Sequence, residues 1–194
     1  LDDERVRVFC QPVFNTKRNQ FTTAEALMRL ELKELGMVYP DQFIDMAEKH
    51  GYIHILSRII LNKTCQYIKH LENEGYHIER ISVNFAIQEL HMDDFSKDVM
   101  MIIGKNGIPF EKIAVELTES RNEKDFKSVK RVMEELQQVG IKFYLDDFGT
   151  GYSNFERIIG LPIDIIKFDR SLTIMAGKNE TSKFMVGSFS EIFK

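Results

Sequence analysis

The sequence carries only two cysteines, Cys10 and Cys65, far apart in the chain. Without a second pair there is neither a disulfide framework nor a zinc ribbon, and a reducing, cytoplasmic setting is expected. No apolar run approaches the roughly 18 residues that cross a bilayer, and the charged stretch from Leu1 to Arg7 is no signal peptide. Direct membrane contact is therefore not expected, and tethering would run through other parts of a parent protein. An excess of positive charge is missing too. Lysine and arginine number 26 against 30 acidic residues, a net charge of -4, so no global field favours a polynucleotide partner. Proline-rich linkers, low-complexity stretches and repeated blocks are absent, which leaves one domain as the simplest organisation. With 43% hydrophobic residues, the chain can bury a real core. It opens on Leu1 rather than Met and ends at Lys194 inside an amphipathic segment, the pattern expected of a fragment excised from a larger signalling protein.

Extended, β-branched or aromatic runs fall at 6–14, 22–30, 80–85, 112–118, 141–146 and 163–168, and helical spacing at 40–50, 54–74, 94–106, 123–139, 153–160 and 179–193. From the second run onward, strand and helix alternate. That order predicts an α/β fold with parallel strands and outer helices, either an open doubly wound sheet or a closed β/α barrel. Alternation within the strands favours the barrel. Ile113, Val115 and Leu117 share one face, and Ala114, Glu116 and Thr118 the other. Ser82 and Asn84 likewise oppose Ile81, Val83 and Phe85; Lys167 and Asp169 oppose Ile166 and Phe168; Glu25 shares its phase with Leu27 and Arg29. A strand between two helix layers is apolar on both faces, whereas a barrel strand can turn polar groups inward at its mouth. A complete barrel has eight strands and typically about 250 residues, so about six of eight strands are expected here.

Glu25, Asn84, Glu116, Asp146, Asp147, Lys167 and Asp169 would thus approach one mouth. A lone strand-end carboxylate is more often solvated or a helix cap. Several in one inward phase would repel unless cations lay between them. Oxygen donors with one amide and no His or Cys suit hard ions such as Mg²⁺ or Mn²⁺. Neighbouring aspartates reach one site only where a strand is ending, and Gly149 and Gly151 supply that break.

The blocks Glu25-Ala26-Leu27-Met28-Arg29 and Asp146-Asp147-Phe148-Gly149-Thr150-Gly151-Tyr152-Ser153 resemble the two signatures of EAL domains. Cys10-Gln11-Pro12-Val13, Ser82-Val83-Asn84-Phe85, Glu116-Leu117-Thr118-Glu119-Ser120, Leu161-Pro162-Ile163-Asp164 and Lys167-Phe168-Asp169-Arg170-Ser171 are similar to further family blocks in the same order. The resemblance runs from about residue 6 to 172 and implies a TIM-like barrel whose first strand is antiparallel. It also implies hydrolysis of cyclic di-GMP to linear pGpG with two divalent cations. On this resemblance Glu25, Asn84, Glu116 and Asp146 would ligate the first metal, Asp146 would bridge to the second and Asp147 would complete it. Lys167 would assist the attacking water, and Glu119 would steady the loop from Asp147 to Ser153. Gln11, Leu27, Arg29 and Asp169 would contact the substrate. Two plainer readings stay open: Lys167 in a structural ion pair with Asp169 or a neighbouring acid, and Arg29 paired with Glu31 on the surface.

Cys10, Leu30 and Phe168 are mild departures from the family pattern. A further metal-ligating glutamate in an Ala-Glu-Gly-Val-like strand and a later substrate-contacting glutamine have no counterpart in these 194 residues. Alternatives to catalysis are a cyclic di-GMP receptor and a scaffold or dimerisation module. An upstream sensor or GGDEF domain is the family-based expectation for a parent protein. An incomplete barrel is also expected to be a poor enzyme and to form a homodimer, with Phe184, Phe189 and Phe193 as adhesive surface.

Overall fold

The computed structural model describes residues 3–118, 125–149 and 160–192. Seven strands form one sheet: β1 (Val6–Asn15), β2 (Gln20–Leu32), β3 (Gly36–Val38), β4 (Arg80–Phe85), β5 (Ile113–Thr118), β6 (Lys142–Phe148) and β7 (Ile165–Phe168). Their order is β1-β2-β4-β5-β6-β7, with β3 hydrogen-bonded to β2 off this path. β1 runs antiparallel to β2, as the resemblance implied, and β2, β4, β5, β6 and β7 are parallel in succession. Among the described residues β1 pairs only with β2 and β7 only with β6, so the sheet is a curled part of a barrel with two open edges.

The six expected strands are present, each within two residues of its expected limits. β3 is an addition: its three residues are too few for a period of two to register, and it forms because Gly36, at φ 68°, lets the chain fold back onto Leu32. Helices α1 (Pro40–Lys49), α2 (Ile53–Asn73), α3 (Phe95–Asn106) and α4 (Phe126–Gln138) occupy expected positions. Proline at the first position of α1 suits its fixed φ. A helix at Arg170–Ala176, α5, was not expected; seven residues give no readable helical period, but Asp169 starts it by accepting a hydrogen bond from the Ser171 N–H at 2.8 Å. The last helix, α6 (Glu180–Ile192), fills the expected 179–193. The helix expected at 153–160 lies outside the described residues apart from Gly160, as does Phe193.

Alternation along the strands sorts the two faces. Ile81, Val83, Ile113, Val115, Leu117 and Phe143 are buried against α2, α3 and α4, where Leu61, Cys65, Ile68, Val99, Ile103, Val129, Met133 and Leu136 meet them. This is the main apolar core, and its burial rigidifies the strands that carry the polar face. Both cysteines are free, and burial pushes the Cys65 thiol up to about 12, so it behaves as a small apolar core residue. No helix among the described residues is long and apolar enough to cross a membrane. At the other end Phe189 of α6 packs edge-on against Phe148, with ring centroids 5.8 Å apart, while Phe184 is 76% exposed.

Candidate metal centre

The polar face converges because register places its members side by side. Glu25 of β2 lies opposite Ser82 of β4, Asn84 opposite Glu116 of β5, and Thr118 opposite Asp146 of β6. One carboxylate oxygen from each of Glu25, Glu116 and Asp146 lies within 4.8 Å of the others. The Asn84 side-chain amide donates to Glu25 Oε1 at 2.9 Å, leaving its carbonyl oxygen as a further hard donor. Lys167 Nζ donates to Glu25 Oε2 at 2.9 Å and to Glu116 Oε1, and lies 3.4 Å from Asp146 Oδ1. Of the two structural ion pairs that the sequence left open for Lys167, the neighbouring acids are therefore the partners. Asp169 instead caps α5, and its hydrogen bonds from the Ser171 side chain and N–H hold its carboxyl below the usual range.

Glu116 decides what the cluster can hold. Its side chain is fully buried, Oε1 meets Lys167, and Oε2 has no hydrogen-bond partner. A buried, unpartnered carboxylate oxygen is costly. A hard divalent cation shared with Glu25 and Asp146 fits the donor set, which is all oxygen with one amide.

Electrostatics agree with that reading. Burial pushes the Glu116 carboxyl up to about 7, against the hydrogen bond from Lys167 that favours its charged form. Burial alone would lower Lys167, but its hydrogen bonds to Glu116 and Glu25 outweigh this and raise its pKa, so it stands as an ammonium group and a donor. Because Glu116 must be ionised to hold a cation, Mn²⁺ affinity is expected to rise about tenfold between pH 6 and pH 8 and then level off. The sign for stability is opposite. With its pKa raised from 4.5 to about 7 in the fold, Glu116 contributes stability below the ordinary carboxyl range that is lost as pH climbs through 7. Calorimetric Mn²⁺ titrations across this range test the linkage, and a flat affinity would contradict it.

The end of β6 is bent. Asp147 sits at φ 55° and Gly149 at φ 101°, and the pairing of β6 with β7 slips between Leu145 and Phe148. A bulge of this kind re-aims a side chain; the clustered oxygens are those of Glu25, Glu116 and Asp146, and Asp147 is not among them. Asp147 is exposed; burial, then repulsion from Asp146 and Asp169, raises its pKa.

Gln11 pairs across the sheet with Glu25 and is exposed. Leu27 and Asn84 line a cavity of about 290 Å³ between the ends of β2 and β4 and helices α1 and α2, together with Met28, Glu48 and Ser57. Arg29 donates to the Met28 carbonyl at 2.7 Å and lies 4.8 Å over the Tyr39 ring. It does not pair with Glu31, whose partner is Arg7 at 2.6 Å. Glu119 and Thr150 to Ser153 lie outside the described residues.

Two supporting residues escaped the sequence reading. Asp164 accepts from Lys142 Nζ at 2.7 Å, Gln137 Nε2 at 2.8 Å and the Phe143 N–H at 2.9 Å, which fixes β7, and so Lys167, against β6. Its place in the Leu161-Pro162-Ile163-Asp164 block was the available signal. Glu89, only 2% exposed, accepts from the Ser57 hydroxyl at 2.8 Å and the Ala86 N–H at 3.0 Å, tying the chain after Asn84 to α2. Its only signal was a position three residues after Ala86, the spacing of a capping box.

Comparison with known proteins identifies the family of the chain. The family model described as EAL domain covers residues 1–194. The cyclic di-GMP phosphodiesterase PdeL of Escherichia coli K12 is 32% identical over 195 residues, which cover 99% of this chain and 53% of PdeL. The cyclic di-GMP phosphodiesterase NbdA of Pseudomonas aeruginosa is 29% identical over 171 residues, 88% of this chain and 22% of NbdA. The chain thus spans about half of the one relative and about a fifth of the other. Among solved structures, the PaMucR phosphodiesterase in complex with c-di-GMP superposes with a TM-score of 0.85 over 95% of this chain and 75% of that one, at 24% identity. With the whole chain matched by one family model and a relative 32% identical over 99% of it, the chain belongs to the EAL domain family.

Proposed function

We propose that residues 1–194 form the greater part of a cyclic di-GMP phosphodiesterase domain that opens one phosphodiester to give linear pGpG with two divalent cations, Mg²⁺ or Mn²⁺. The observation that carries this reading is the buried, unpartnered Glu116 oxygen within a cluster that Glu25 and Asp146 complete. Glu25, Asn84, Glu116 and Asp146 would hold the first ion, and Asp146 with Asp147 the second. Such a pair of ions supplies an acidified water and neutralises charge gathering on the phosphate.

The chain's own residues do the rest. Lys167, whose Nζ lies among Glu25, Glu116 and Asp146 before metal enters, would move off these carboxylates as the ions bind and position the attacking water or donate to a phosphate oxygen. Arg29 offers a planar fork to the other phosphate oxygens. Leu27 and the apolar cavity beside Asn84 would accept a guanine ring, and Gln11 and Asp169 are the remaining substrate contacts that the family resemblance implies. Glu119 steadies the loop that follows Asp147. The names of PdeL and NbdA and the c-di-GMP bound to PaMucR support this choice of substrate. The same reading takes the domain to be cytoplasmic, homodimeric and joined to a sensor or GGDEF domain upstream.

Incubating the full-length parent protein with cyclic di-GMP and Mn²⁺, with chromatography of the products, is the test. Linear pGpG is expected, chelation should abolish it, and single-stranded DNA should not compete. Metal-dependent binding without pGpG would favour a receptor instead.

A further inference from the structure

Lys167 stands where a cation shared by the acidic cluster would have to stand. Its Nζ meets Glu25 Oε2 at 2.9 Å, Glu116 Oε1 at hydrogen-bond distance and Asp146 Oδ1 at 3.4 Å. These are the three residues whose oxygens lie within 4.8 Å of one another. An ammonium group has three donors and a compact unit charge, and here it faces three carboxylates. We propose that Lys167 is an internal competitor for the metal: a divalent cation enters only by displacing the Lys167 ammonium from Glu25, Glu116 and Asp146, so this one residue sets how tightly the site holds its ion.

The inference rests on the metal-site reading above and goes beyond it. Three converging carboxylates repel, and a cation among them offsets that repulsion. Lys167 supplies such a charge from within the chain, 30% exposed and beside a fully buried Glu116. An incoming divalent ion meets both a fixed positive charge and oxygens already engaged. Removing the ammonium therefore has two opposite consequences. The protein without metal loses the charge that relieves its carboxylates, while metal binding no longer has to break three contacts. A lysine that served only to orient water, or only to anchor one acid, would leave metal affinity unchanged or weaken it.

Mn²⁺ binding to the full chain, stripped by chelation and free of nucleotide, separates these cases by titration calorimetry and by thermal unfolding with and without Mn²⁺. Lys167→Met is expected to bind Mn²⁺ roughly tenfold or more tighter than the parent, to unfold at a lower temperature when stripped, and to gain more from added Mn²⁺. Lys167→Arg, which keeps the charge, should stay within about threefold of the parent. Lys167→Gln gives the same comparison should Lys167→Met fail to fold. Mn²⁺ affinity at or below the parent value in the uncharged variants would overturn the proposal. Because no nucleotide is present, the phosphodiesterase reading is judged apart: tighter Mn²⁺ binding by the uncharged variants, with no turnover by the unsubstituted protein, keeps Lys167 as the competitor and removes the enzyme. No Mn²⁺ binding by any form would remove both.

Discussion

Asp146→Asn is expected to leave the full-length parent protein without measurable turnover of cyclic di-GMP. The loss should exceed the roughly 10- to 100-fold that removal of a residue supporting a metal ligand costs. Asp146 offers one of the three clustered oxygens and directly precedes the bend that carries Asp147, so an amide there weakens both ion positions without changing side-chain volume. Arg29→Ala should behave differently. Arg29 touches none of the clustered carboxylates, and its contacts are the Met28 carbonyl and the Tyr39 ring. Its loss should raise KM for cyclic di-GMP with kcat changed far less. Steady-state rates at saturating Mn²⁺ and Mn²⁺ affinity for both variants make the comparison. Parent-like Mn²⁺ affinity in Asp146→Asn would contradict its place among the ligands.

Gly149→Ala is expected to cost about 2–4 kcal/mol of stability, from combined backbone strain and overpacking. Gly149 has φ 101°, and a Cβ built on it would lie 2.1 Å from Leu172 Cδ1 and 2.9 Å from Leu172 Cγ. Relieving this contact takes a new Leu172 rotamer or a shift of α5, whose cap is Asp169, and the positive φ of Gly149 stays strained in either case. Because Gly149 lies three residues after Asp146, the same displacement should weaken Mn²⁺ binding. Gly177→Ala is the control: Gly177 has φ -74°, and its added Cβ comes no nearer than 3.5 Å to any atom, so its effect should stay within about 0.5 kcal/mol. Thermal unfolding of the two variants gives the contrast. Equal stability would show that the turn after Asp147 tolerates a side chain.

Much of this fold was legible because its strands are partly polar. A period of two separates Asn84 and Glu116 from Val83 and Val115, and the structure buries the second pair against α2, α3 and α4 while the first pair faces Glu25. The antiparallel β1 was not readable from alternation, which is the same in either direction; only the resemblance pointed to it. β3 and α5 fell below the length at which a period can be counted. Proximity within the site was only partly readable. Phase assigned Lys167 to the inner face, but not the choice among Asp169, Glu25, Glu116 and Asp146 as partners, which depends on the stagger of β7 against β6. That stagger is set by Asp164 and by the bulge at Asp147, both long-range features. Phase also gave no hint that Glu31 would be taken by Arg7, since that pairing needs β1 laid against β2.

In the proposed function the cluster of Glu25, Glu116 and Asp146 holds the ions on which cleavage of cyclic di-GMP depends. The most direct measurement follows Mn²⁺ occupancy by electron paramagnetic resonance and pGpG formation in the same titration of the full-length parent protein. Cleavage is predicted to be absent in the stripped protein and to rise in step with bound Mn²⁺ until the site is filled. Cleavage that precedes Mn²⁺ binding, or a filled site that yields no pGpG, would contradict the account.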